Sequence, residues 1–347
     1  MYDLRTTLIE RVQIYCRYAA SALVLAAMGQ VTALGDFFYA GYNSSGITRV
    51  DERTGEVIQV FATTSGDGFD DFRGLAMGPD GLLYVSAFDE NAARFGRWGV
   101  FRFDPSDGTY VDTFIDTGPL DGIAFDSQGD LYAVRSWSGS LIQFDGSSGE
   151  TLRTVLAGDE FQNGVGSFAV GPGGELFAST DLSKLARYDL DTGERIGPIV
   201  DLEQLGLPGY RFDQMAFGPD GKLYATYNYH RRDQVQDGGI MTFDADTGEL
   251  LGTLVDDLPA FGAANGGALG LAFGPTGDLY VGSRYAEAIL RLDSSTFQVS
   301  DQLPLSGGTR SATFIAFVPV PEPAMLSALL GLVGGILVWR RRRKSVV

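Results

Sequence analysis

Histidine occurs once in the 347 residues, at His230, and cysteine once, at Cys16. A nucleophile activated by an imidazole base would have to use that one side chain, and a multi-histidine metal site is excluded by the count. His230 sits in NYHRRDQ, the setting of a solvated surface residue. What remains for chemistry is oxygen: 44 Asp and Glu stand against 26 Lys and Arg. Asp121 and Asp213 occupy equivalent places in the repeat described below, as does Arg73, and carboxylates of this kind suit calcium or magnesium. Asn163 or Asp181 could complete such a shell. The alternative is that Arg73 neutralises Asp121 in an ion pair that plugs a channel. DERTGE at Asp51, DLDTGE at Asp189 and DADTGE at Asp244 lack the ligand register of a helix-flanked calcium loop and read as hairpin turns. SGDGFDDF, Ser65 to Phe72, is less regular and is the better calcium loop.

These residues are positioned by a repeat. GLAMGPDGLLYVSA from Gly74 returns as GIAFDSQGDLYAVR, SFAVGPGGELFAST, QMAFGPDGKLYATY and GLAFGPTGDLYVGS. The repeat alanines are Ala76, Ala124, Ala169, Ala216 and Ala272, separated by 48, 45, 47 and 56 residues. Each copy continues with an alternating strand ending in Asp, a turn and another strand, as in LARYDLDTGERIGPIV. A period in the forties filled with short strands and Gly-Asp turns predicts an all-β propeller of four-stranded blades. Residues 35–61 supply three strands lacking the opening one, and 311–318 supply an opening strand with nothing after it. Together they make one blade, so six blades are expected, closed by pairing of the chain ends. The ends then emerge on the face of the PDG turns, and the opposite face carries the loops.

Three residues before each repeat alanine, the chain should reach the channel mouth on that loop face. The residues there are Thr313, Arg73, Asp121, Gly166, Asp213 and Leu269. Two long segments, 88–99 and 227–239, read as loops on opposite blades. Arg94, Trp98, Tyr229 and Arg231 from them, with Trp137 and Tyr285 from shorter loops and Arg73, form the expected ligand-binding surface for sugars or a protein partner.

The ends differ from the middle. Residues 1–33 read as a signal peptide, with AASALVLAAMGQ ahead of the small-residue pattern Val31-Thr32-Ala33. Residues 34–318 carry a net charge of −23, which argues against nucleic acid as a partner. Residues 319–347 form a tail in which 324–339 is an uncharged stretch of about 24 Å as a helix, a short membrane span followed by RRRRK. The positive-inside bias keeps that block cytoplasmic and the propeller outside.

The tail resembles the PEP-CTERM sorting signal: Pro321, Glu322 and Pro323, an apolar helix, then Arg340, Arg341, Arg342 and Arg343. The resemblance implies recognition by an exosortase and at least transient membrane anchoring. The repeats, through GLAFGPTGDLYVG and its siblings, resemble the NHL, gluconolactonase and streptogramin-lyase propellers. That group implies the fold, while its chemistry ranges from hydrolysis and lysis to passive binding. Gluconolactonase-like members hold a divalent cation near the axis, but their Glu and Asn ligands and the lyases' histidine base have no residue-by-residue match here. The expected function is that of an exported, non-catalytic module at the cell surface, binding extracellular polysaccharide or an envelope protein. The alternatives are a calcium- or magnesium-dependent lactonase-type hydrolase on Asp121 and Asp213, and a structural matrix protein.

Overall fold

The structure, a computed structural model, describes residues 37–42, 46–61, 68–91, 96–158, 164–171, 173–231, 234–255, 268–283, 288–304 and 314–317. The first three strands are β1 (Phe37–Tyr42), β2 (Gly46–Asp51) and β3 (Val57–Phe61). The next sheet comprises β4 (Phe69–Met77), β5 (Leu83–Asp89), β6 (Arg97–Phe103) and β7 (Tyr110–Ile115). It is followed by β8 (Leu120–Phe125), β9 (Leu131–Arg135), β10 (Ser140–Phe144) and β11 (Thr151–Leu156), then β12 (Val165–Val170), β13 (Glu175–Thr180), β14 (Lys184–Asp189) and β15 (Arg195–Asp201). The fifth sheet holds β16 (Tyr210–Phe217), β17 (Leu223–Arg231), β18 (Gln234–Phe243) and β19 (Leu250–Val255). The sixth holds β20 (Ala268–Phe273), β21 (Leu279–Ser283), β22 (Ala288–Leu292) and β23 (Val299–Pro304), and the chain returns as β24 (Phe314–Phe317).

β24 pairs antiparallel with β1, Phe38 opposite Phe317 and Gly41 opposite Phe314, giving the sheet order β24-β1-β2-β3. All six sheets are four-stranded meanders, and each opening strand touches those of both neighbouring sheets. The architecture is an all-β propeller. Its core lies between blades: among the described residues, six apolar clusters each join residues of two adjacent sheets. One sets Tyr84, Val100 and Ile115 against Leu131, Ile142 and Phe144. Another closes the ring, with Tyr280, Ile289 and Leu303 against Val50 and Ile315.

The Asp turns are structural hairpins, as their recurrence predicts. In the turn at Asp293, Oδ1 accepts from the backbone N–H and hydroxyl of both Ser295 and Thr296, at 2.6 to 3.0 Å. Asp51, Asp145, Asp189 and Asp244 repeat the pattern. Their oxygens are spent on the chain's own donors, which is what an Asx-type turn requires.

One expectation changes in part: at the described ends of the segments 88–99 and 227–239, residues expected in loops extend strands. Phe88 pairs with Trp98 and Asp89 with Arg97, while His230 pairs with Val235 and Arg231 with Gln234. The pairing gives partners to backbone groups that would be costly to leave unpaired. No α-helix lies among the described residues, and none there is long and apolar enough to cross a membrane. The leader 1–33 and the tail 319–347, with the span 324–339, lie outside the described residues.

Candidate binding site at the channel mouth

The six opening strands surround a cavity of about 580 Å³ along the axis. Five of them carry an irregularity near the loop face. In β12 and β16 two residues oppose one, Gly166 and Ser167 facing Ser179, and Asp213 and Gln214 facing Thr226. The buried hydroxyls of Ser179 and Thr226 accept the N–H of Ser167 and Gln214, each at 2.9 Å. In β8 and β20 the extra residues are Gly122 and Leu269. In β4 the bulge is longer, with 71–73 inserted between the pairs Asp70–Phe88 and Gly74–Ser86. Bulges re-aim side chains beside functional sites, and here Asp71 adopts φ +49°, a left-handed conformation unusual for a side-chain-bearing residue.

That bulge builds a polar corner of the mouth. Arg73 Nη2 donates to Asp71 Oδ2 at 2.7 Å, and Nη1 donates to Asp121 Oδ1 at 3.0 Å and Ser136 Oγ at 3.2 Å. The guanidinium carbon stands 4.6 Å from the centre of the Trp98 ring, and Phe88 lies 5.0 Å from that ring on a tilted plane. Burial opposes the charge on Arg73, but Asp71 and Asp121 outweigh it and hold its pKa above the ordinary value. Asp71 and Asp121 keep 35% and 38% of their side chains exposed. Trp137, next to Ser136, is 80% exposed, and its ring lies along Gly118, 3.6 Å from where a Cβ would stand.

Of the expected site residues, Arg73, Trp98 and Asp121 thus come together, while Trp137 follows Ser136 in the chain and lies along Gly118. Trp98 has a different part from the one expected. Arg73 covers one of its faces, so it positions the guanidinium instead of offering an open platform. Asp213 is held by Asn228, whose Nδ2 donates to Asp213 Oδ2 at 2.6 Å and to the Ala268 carbonyl at 2.5 Å. Asp121 and Asp213 therefore serve separate partners on sheets with another blade between them. Among the described residues, no three His, Cys, Asp or Glu side chains gather to hold a metal ion. Gly166 lines the cavity, and Leu269 is buried. Asp181 is bonded by Lys184 Nζ at 3.1 Å. Tyr229 belongs to another aromatic group, 5.3 Å from Tyr210, on the blade opposite Arg73. Arg94, Tyr285, Thr313, Asn163 and residues 65–67 of the Ser65–Phe72 loop lie outside the described residues, as do the side chains of His230 and Arg231.

Sequence reasoning missed Asp71 and Ser136 as members of this corner. Asp71 had no readable signal, because three residues, 71–73, oppose one in this bulge and strict alternation of faces fails there. Ser136 had none beyond its place before Trp137.

The chain matches no family model and no curated protein sequence. Its fold is similar to a chain of Kuenenia stuttgartiensis hydrazine synthase, with TM-score 0.56 and 18% identity over 82% of this chain and 87% of that one. It is also similar to a chain of the nidogen/laminin complex, with TM-score 0.58 and 14% identity over 82% and 98%. A virginiamycin B lyase from Staphylococcus aureus matches at TM-score 0.48 and 15% identity over 71% and 74%, too distant to add an argument. At such identities likeness speaks for the fold and is silent on chemistry: the chain is an all-β propeller.

Proposed function

We propose that this protein is an exported binding module that holds extracellular polysaccharide at the loop-face mouth of its channel and catalyses no reaction. The observation that carries this reading is the 80% exposed Trp137 indole, one residue along the chain from Ser136, which joins Arg73, Asp71 and Asp121 in a polar corner. A flat apolar ring next to fixed donors and acceptors matches a sugar, which has an apolar C–H face and a rim of hydroxyls. Export, sorting by an exosortase and transient anchoring rest on the leader and tail sequences.

Affinity electrophoresis in gels containing polysaccharide tests the site. Trp137→Ala should lose retardation, while Tyr229→Ala on the opposite blade should keep it. Retardation unchanged in Trp137→Ala would remove the mouth from consideration. Mass spectrometry of the exported protein tests sorting: a chain starting near Leu34 and ending before Ala324 is expected, and a retained arginine block would contradict processing.

A further inference from the structure

Resting on that reading, we infer that the sugar recognised at the mouth carries a protonated amine, as in a chain of unacetylated hexosamine units. The inference comes from how the charges are used. Among the described residues lining the cavity, the charged ones are Asp71, Arg73 and Asp121, a net of one negative charge. The cation is fully engaged: one terminal nitrogen bonds Asp71, the other bonds Asp121 and Ser136, and its face lies on Trp98. A uronate or sulfate arriving there would have to break these bonds, and it would meet two carboxylates that remain over a third exposed.

An ammonium meets the opposite situation. Asp121 gives Oδ1 to Arg73, which leaves carboxylate surface toward solvent for a charge-assisted hydrogen bond. The ring bearing the amine would lie on the exposed Trp137, the chain neighbour of Ser136. The net charge of −23 over residues 34–318 adds a long-range field that repels polyanions and draws in polycations. Trp98 takes no part in stacking; it is a positioning residue that keeps Arg73 between the two carboxylates.

Calorimetric titration of the exported protein with hexamers of glucosamine, N-acetylglucosamine and a uronic acid, and with a lysine hexapeptide, decides the matter. The glucosamine hexamer should bind roughly three- to tenfold tighter than its acetylated counterpart, the range for one exposed charge-assisted contact. That preference should shrink with added salt and vanish as the amine is deprotonated at alkaline pH, both measured on the unaltered protein. Asp121→Asn should abolish the preference, and Trp137→Ala should weaken both neutral and amino hexamers alike. A uronate hexamer binding as tightly as glucosamine would overturn the charge assignment and leave the polysaccharide reading standing. Equal binding of the amino and acetylated hexamers would do the same. If the lysine peptide binds and no hexamer does, both fall, and the mouth takes a basic peptide.

Discussion

The hydroxyl of Tyr280 donates a 2.6 Å hydrogen bond to Oε1 of Glu52, joining the last complete blade to the blade assembled from the two chain ends. Both residues are buried, at 0% and 6% exposure. In other blades the repeat tyrosine bonds its own turn: Tyr84 to Asp80, Tyr132 to Asp126 and Tyr224 to Asp220. The turn before Tyr280 has Thr276 where those of Tyr84 and Tyr224 have Asp80 and Asp220, and the acceptor comes instead from 228 residues away. Burial, reinforced by the Glu52 carboxylate, pushes the Tyr280 phenol well above its ordinary pKa.

Tyr280→Phe leaves the Glu52 carboxylate buried without this donor, so a loss of about 1–3 kcal/mol is expected in urea denaturation. Adding Glu52→Gln should recover part of it, and a double-mutant cycle measures the coupling. Fully additive effects would mean that the bond does not hold the ring's seam.

Blade four supplies a converse case. Its turn is Gly171-Pro172-Gly173-Gly174 without an aspartate, and its strand carries Phe177, 1% exposed, in the tyrosine position. Phe177→Tyr should cost on the order of 1 kcal/mol by burying an unpaired hydroxyl. Gly173→Asp, placed where Asp80 and Asp220 stand, should restore stability in the double variant but not by itself. Thermal melts of the four proteins give the comparison, and no rescue would refute the pairing.

Gly74 lies where two blades approach. A Cβ there would stand 2.9 Å from the backbone nitrogen of Ile123 and 2.8 Å from Ser86 Oγ, distances that force a shift between blades. Gly74→Ala should cost about 1–3 kcal/mol, read as a lower midpoint in denaturant. By contrast Gly81, whose Cβ would meet nothing within 4 Å, has φ +83°, so its replacement by alanine strains only the turn.

The aspartate turns make stability sensitive to acid. The Ser147 hydroxyl, with the Ser147 and Ser148 N–H groups, holds Asp145 down at about 2, and Ser295 and Thr296 lower Asp293 further. Thr192 and Thr247 lower Asp189 and Asp244 in the same way. Each folded carboxyl titrates below its unfolded counterpart near about 4. The stabilisation is therefore complete above pH 4 and is lost as pH falls toward 2 and below. Melting temperature should drop across that window, and less steeply in Asp145→Asn, which has no proton to take up. A flat profile would show that these bonds survive protonation.

Much of the architecture was readable before any coordinates. The repeat alanines, the alternating strands and the Asp turns are local signals, because side-chain alternation and turn hydrogen bonds act over two to five residues. The incomplete fragments at 35–61 and 311–318 further demanded each other, since unpaired strand edges are costly. Less could be read of the mouth. Arg73 and Asp121 followed from repeat alignment, but Asp71, Ser136 and the masking of Trp98 did not. Their meeting depends on a bulge that gives β4 extra residues and on the approach of one blade to the next, and neither leaves a periodic trace. Phe88, Asp89 and residues 97–99 read as parts of a long loop and instead extend β5 and β6, because neighbouring backbone offers partners. The sequence by itself determined the blades, which local pairing dictates, and their closure, which the unpaired edges of two complementary fragments demand. Only the tertiary structure decided which side chains share the mouth and that Glu52 answers Tyr280, because such contacts are set by how separately formed sheets pack.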